Sequence, residues 1–156
     1  MDSFEKIEHI LDYVTNRMNE LCKNIHVYSS YPNYPDEIPI QGASVCVGVD
    51  KIDILFQNGT AKGEDATNRV YYGVDLDCCF KLDICLPKLT SSCYDCVSAF
   101  DKLASACLKM DRLRVTKMTC GKIHYDRILS AIVMECTMNC TAELVKLTSI
   151  NPSEYT

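Results

Sequence analysis

Val70-Tyr71-Tyr72-Gly73-Val74-Asp75-Leu76-Asp77-Cys78-Cys79-Phe80-Lys81-Leu82-Asp83-Ile84-Cys85-Leu86 is the stretch from which the fold is read. Every even position is apolar: Val70, Tyr72, Val74, Leu76, Cys78, Phe80, Leu82, Ile84 and Leu86. The odd positions hold Tyr71, Gly73, Asp75, Asp77, Cys79, Lys81, Asp83 and Cys85. In an extended chain successive side chains point to opposite faces. The pattern therefore predicts one long strand with a buried even face and a mostly polar odd face. Strands usually run to about five or six residues. One this long either bends or reaches beyond its core as a hairpin arm.

Upstream, residues 57–69 are polar and contain the Asn58-Gly59 step. They read as a loop, too long for a tight hairpin turn, and mobile. Residues 43–56 read as another strand. Val45, Val47 and Val49 share one face, and Ile52, Ile54 and Phe56 continue the alternation with opposite parity. A one-residue bulge near Asp50-Lys51 would return both triplets to one side. Before that strand, residues 28–41 contain three prolines, Pro32, Pro35 and Pro39, which exclude a helix and favour an extended surface segment. The N-terminal stretch carries Phe4, Ile7, Leu11, Val14, Met18 and Leu21 at helical spacing, with Asp2 and Glu5 spaced as a capping box. It predicts a helix over residues 3–24.

Downstream, Pro87 closes the long strand, and Ser92 with Asp95 again has capping-box spacing. Cys93, Cys96, Val97, Phe100, Leu103, Ala104, Cys107 and Leu108 then predict an amphipathic helix over 92–110. Two further strands follow, about 113–124 and 128–147, joined by a turn near Tyr125-Asp126-Arg127. The last places Ile132, Met134, Cys136, Met138, Cys140, Ala142 and Leu144 on one face. Asn151 to Thr156 reads as a loose polar tail. The expected order is α-β-β-α-β-β. It is satisfied by an α+β fold: a four-stranded, mostly antiparallel sheet with both helices on its apolar face. The 156 residues fit a single domain spanning the chain, with no internal repeat and no linker.

A hydrophobic content of 47% with 24% charged residues is that of a globular protein. A net charge of −5 with scattered basic residues argues against sequence-specific nucleic-acid binding, which needs a basic footprint. No window approaches 18 apolar residues, so no spanning helix is expected. Residues 1–5 lack the basic and apolar regions of a signal peptide. The eleven cysteines are therefore expected to be free thiols in a reducing cytoplasm.

Each candidate for chemistry has a plainer reading. Cys93-Tyr94-Asp95-Cys96 has redox or zinc spacing but lacks a second ligand pair. Cys136 and Cys140 share a face yet lie roughly 13 Å apart at strand rise, too far for one ion. A cysteine nucleophile needs a histidine base, and no motif brackets His9, His26 or His124. Asp75, Asp77 and Asp83 with Lys81 read as a solvated strand face, with subunit contact as the functional alternative. Asn58, Gly59 and Gly63 do not make a phosphate loop, because its Lys-Ser/Thr pair is missing. Tyr28, Tyr31 and Tyr34 with their prolines either cover their own domain or meet a partner. No catalytic residue, metal ligand or cofactor is assigned.

With its elements placed, the sequence resembles the tail terminator proteins of tailed bacteriophages and of contractile phage-tail-like particles. The resemblance rests on the N-terminal helix and the Pro-rich segment leading into Gly42-Ala43-Ser44-Val45-Cys46-Val47-Gly48-Val49. It continues through the long strand after a polar loop and the Cys93 to Leu108 helix with Phe100-Asp101-Lys102-Leu103. It ends on Cys120-Gly121-Lys122-Ile123-His124-Tyr125-Asp126. It implies a non-enzymatic virion or particle component, assembled in a bacterial host cytoplasm and retained in the finished particle. Such a subunit forms a homo-oligomeric ring, usually a hexamer, on the tail tube protein. The ring stops tube polymerisation, can engage the sheath, and offers a surface to the head-side connector. The contact residues expected on this reading are Asn58, Lys62, Glu64, Asp65, Arg69, Tyr71 and Asp75. Two alternatives stand beside it: another neck protein that completes the head–tail junction, and a small cytoplasmic enzyme or ligand-binding domain with a cysteine site around Cys93.

Overall fold

A computed structural model of the chain describes residues 3–29, 42–64 and 69–149. In chain order its elements are α1 (Ile7–Leu21), β1 (His26–Tyr28), β2 (Ser44–Glu64), β3 (Arg69–Pro87), α2 (Cys93–Cys107), β4 (Arg114–Asp126) and β5 (Ala131–Ser149). The class is α+β as expected. The sheet, however, has five strands in the order β1-β2-β3-β5-β4, not four, and the element order gains a strand after α1. β1 runs parallel to β2, and the other neighbours are antiparallel.

The even face of β3 is the centre of the core. Leu76, Phe80, Leu82 and Ile84 are fully buried, and they face Ala142, Met138, Cys136 and Met134 of β5 through the β3–β5 register. Both helices cover this face. α1 contributes Ile10, Val14 and Met18, and α2 contributes Cys96, Leu103, Ala106 and Cys107, all in one hydrophobic cluster with the strands. Burying each large side chain contributes roughly 1.5–3 kcal/mol, so this shared face holds the layers together. The bulge expected at Asp50 is present as a register shift between Val49 and Lys51. Beyond it Ile52 and Ile54 pack against the same core as Val45 and Val47.

Several expectations are corrected. The polar stretch 57–69 is largely strand: β2 continues to Glu64 and β3 begins at Arg69, with Thr60 paired to Gly73 and Glu64 to Val70. Its residues are polar at nearly every position, so no alternation marked the pairing. Helix α1 starts at Ile7 with Lys6 as N-cap, not at residue 3. Phe4 is taken up by the sheet instead: its N–H donates to the Glu143 carbonyl at 2.8 Å and its carbonyl accepts from Val145 N–H at 2.7 Å. The odd face of β3 is not polar to its end. Asp75, Asp77 and Lys81 are exposed, but Asp83 and Cys85 are buried, and Cys85 packs with Leu129 of the β4–β5 connection and with Ala131 and Val133 of β5.

β1 is short, and the side chain of Asn19 on α1 completes it. The Asn19 amide donates to the Val27 carbonyl and accepts from the Val27 N–H, both at 2.8 Å, as a neighbouring strand would. Asn24, at φ 67°, turns the chain from α1 into this strand; asparagine tolerates the left-handed region better than most residues. α2 begins as its sequence predicts, with the Asp95 carboxylate accepting from the Ser92 N–H at 2.8 Å. In β4 a bulge lies between Cys120 and Ile123. A Cβ at Gly121 would stand 2.7 Å from the Glu135 carbonyl oxygen, so only glycine lets the strands approach so closely there.

Candidate functional site

The cysteines are placed for packing. All eleven are free, and Cys22, Cys46, Cys78, Cys85, Cys96, Cys107, Cys136 and Cys140 are buried. Burial pushes the Cys46 thiol up to about 11 and those of Cys85, Cys107 and Cys136 up to about 12. Cys78 and Cys140 face each other across β3 and β5. Their mutual hydrogen bond, with burial added, holds the proton on Cys140, while the same bond draws Cys78 down against its burial. A cysteine reacts as its thiolate, and these surroundings favour the neutral thiol. In the Cys93–Cys96 pair, Cys93 is exposed on the first turn of α2 and Cys96 points into the core. Among the described residues no group of three His, Cys, Asp or Glu side chains is placed to hold a metal ion. His9 and His124 are exposed, and His26 packs on Tyr28 with ring centroids 4.0 Å apart.

The features with functional content lie on surfaces. Of the expected contact residues, Asp65 lies outside the described residues, as do the side chains of Asn58, Lys62, Glu64, Arg69 and Tyr71. The backbones of those five fall in the β2–β3 hairpin, which brings Gly63 opposite Tyr71 and Leu55 opposite Asp75. Asp75 is exposed.

At the base of this hairpin is an apolar groove of about 520 Å³, formed by Ile7, Ile54, Phe56, Val74 and Leu144 with Lys6 and Glu8 beside them. Phe56 is 75% exposed. Alternation alone put Phe56 in the core, because it continues the Ile52–Ile54 face; α1 begins only at Ile7 and leaves it uncovered. Val49, expected in the core as well, is 48% exposed although its strand partner Phe80 is fully buried. Phe56 lies beyond the start of α1, whereas Val49 lies at the register shift before Lys51.

The opposite end of the sheet is apolar too. Leu89, Tyr94, Tyr125 and Ile128 are exposed there, and the Lys88 ammonium sits 3.8 Å from the centre of the Tyr125 ring. Between the ends, a polar clasp fixes the N-terminus to the α2–β4 connection. Tyr13 donates to Asp111 at 2.8 Å, Arg112 donates to the Ser3 carbonyl at 2.7 Å, and its guanidinium stacks 4.2 Å from the Phe4 ring centre. The Tyr13 hydrogen bond draws the Asp111 carboxyl below its ordinary range. Among the described residues no helix is long and apolar enough to cross a membrane.

No protein-family model matches the chain, and no curated protein matches its sequence. Solved structures do match its fold. One is a sheath/tube terminator, in the extended state, of the extracellular contractile injection system PVC. The two agree with a TM-score of 0.53 over 96% of this chain, at 9% sequence identity. This chain spans 61% of that one. At such low identity the likeness is one of fold. The chain thus shares its architecture with a structural component of a contractile, phage-tail-like particle.

Proposed function

We propose that this chain is a single-domain, non-enzymatic assembly subunit that caps a tail tube and stops its growth. The observation that carries this reading is the fold likeness to a sheath/tube terminator over nearly the whole chain. The surfaces agree with it. A tube cap works through protein contacts, and exposed apolar side chains are found at both ends of the sheet, Phe56 at one and Leu89, Tyr94 and Ile128 at the other. In this reading the copies form a homo-oligomeric ring, a hexamer, in the bacterial cytoplasm. One rim binds the tube protein, with contacts to the sheath, and the other meets the head-side connector; the ring stays in the finished particle. Asn58, Lys62, Glu64, Asp65, Arg69, Tyr71 and Asp75, on and beside the β2–β3 hairpin, contribute to ring or tube contacts. No cofactor takes part.

The test shortens the hairpin. Replacing residues 59–67 with a short Gly-Ser connector removes strand pairing beyond the core and leaves the α1–β3–α2 packing in place. The variant is expected to melt cooperatively and to lose tube capping in electron micrographs. Tubes capped at normal length by this variant would remove the hairpin from the mechanism.

A further inference from the structure

The helix-free face of the sheet is arranged in rows that carry charge from one edge to the other. Asp53 of β2 stands opposite Asp77 of β3, Asp77 opposite Thr141 of β5, and Thr141 opposite Arg114 of β4. The neighbouring row runs Lys51, Cys79, Asn139, Lys117. The first row is thus acidic at the β2 side and basic at the β4 side. Like charges directly opposite one another, as at Asp53 and Asp77, disfavour the isolated sheet. Lys51 offsets this at 3.3 Å from Asp53, in an exposed pair that contributes little and exchanges partners readily.

Both ends of the row are open strand edges. On the side of β2 away from β3, β1 pairs only with Ser44, Val45 and Cys46 among the described residues. The outer edge of β1 is itself occupied at Val27 by Asn19. β4 pairs with β5 alone among the strands and is exposed along most of its length. An open edge presents unpaired N–H and C=O groups ready for another strand.

We infer that a second copy of this chain lays its β4 along the free edge of β2, continuing the sheet from molecule to molecule. Direction and register agree with this. β2 and β5 run one way and β3 and β4 the other, so a copy shifted along the sheet brings its β4 antiparallel to β2. Setting Arg114 opposite Asp53 places Lys117 opposite Asp50 and Cys120 opposite Val47. Two acidic residues then meet two basic ones. The bulge at Asp50 and the shift in β4 between Val115 and Lys117 fall at the same level. The pairing ends where it must: beyond Val47 the edge is taken by β1, and beyond Cys120 β4 departs at its Gly121 bulge. The contact joins two different edges, so it is head-to-tail and propagates into a ring when the rotation closes. It deepens the ring of the proposed function by naming the surfaces that form it.

Charge reversal in the full-length chain tests the contact without any tube present. Wild type is expected to self-associate in sedimentation velocity and to dissociate as salt rises toward about 1 M, where screening is strong. Asp53→Lys and Arg114→Asp, each alone, should weaken association by at least about tenfold, near 1.4 kcal/mol. An equimolar mixture should recover it, because every β2 edge then meets a complementary β4 edge in the other variant. Asp50→Lys with Lys117→Glu provides a second pair if either variant fails to fold. A wild-type monomer at all concentrations, single variants that associate normally, or a mixture no better than its parts would each overturn the contact. A ring that assembles this way yet ignores tubes would instead overturn the tube-cap reading and leave the contact standing.

Discussion

Leu76→Asp is expected to abolish the cooperative native state, whereas Asp77→Asn one residue away should change stability by less than about 0.5 kcal/mol. Leu76 is fully buried on the helix-covered face of β3, opposite Ile54 and Ala142 on its two sides. A carboxylate there would lose its hydration among the apolar side chains of the core. The cost is several kcal/mol, a large part of the roughly 5–15 kcal/mol that holds a domain folded. Phe80→Asp, at an equally buried position, should behave alike. Asp77 points to the opposite, wet face. Circular dichroism melts decide the matter: similar midpoints for Leu76→Asp and Asp77→Asn would mean the strand is in the other register.

Stability should also fall steeply as the pH rises above about 9. Burial raises four core thiols, Cys46 to about 11 and Cys85, Cys107 and Cys136 to about 12, from an ordinary value of 9.0. The native state therefore keeps protons that the unfolded chain gives up. For groups whose folded value is raised, the stabilisation is complete below pH 9 and is lost as pH climbs through the folded values. One unit above the unfolded value, each thiol withdraws about 1.4 kcal/mol, so these four together withdraw about 5.6 kcal/mol near pH 10. Denaturant midpoints across this range read the effect, and Cys85→Ala should flatten the slope by about one proton. A midpoint unchanged from pH 8 to pH 10 would contradict the burial of neutral thiols in this core.

The first of these expectations rests on what was legible in the sequence. The period-two run of β3 needed no partner to be recognised. The parity change at Asp50 located a bulge, and the Ser92–Asp95 spacing located the start of α2. What escaped depends on contacts distant in sequence. β1 has three residues and is completed by an asparagine on a helix. Phe4 sits in the sheet because β4 pairs no further along β5 than Thr141, leaving Glu143 and Val145 able to bond it. The groove at Phe56 exists because α1 starts three residues later than Phe4 would suggest. Patterning tells which side of a strand is apolar; only the packed molecule tells how much of that side is covered.

The same limit applies to the candidate site, whose described features lie on surfaces. Of the Cys93–Cys96 pair, Cys96 packs in the core as a small apolar side chain, while Cys93 is exposed. On the wet strand face, Asp77 belongs to a row that is acidic at the β2 side and basic at the β4 side. A cap on a growing tube needs only such surfaces.

The most direct measurement is the length of tail tubes assembled with and without the intact protein, read from electron micrographs. The account predicts tubes of limited length bearing a ring of this protein at one end. Tubes that grow without limit, with no protein bound at either end, would contradict it.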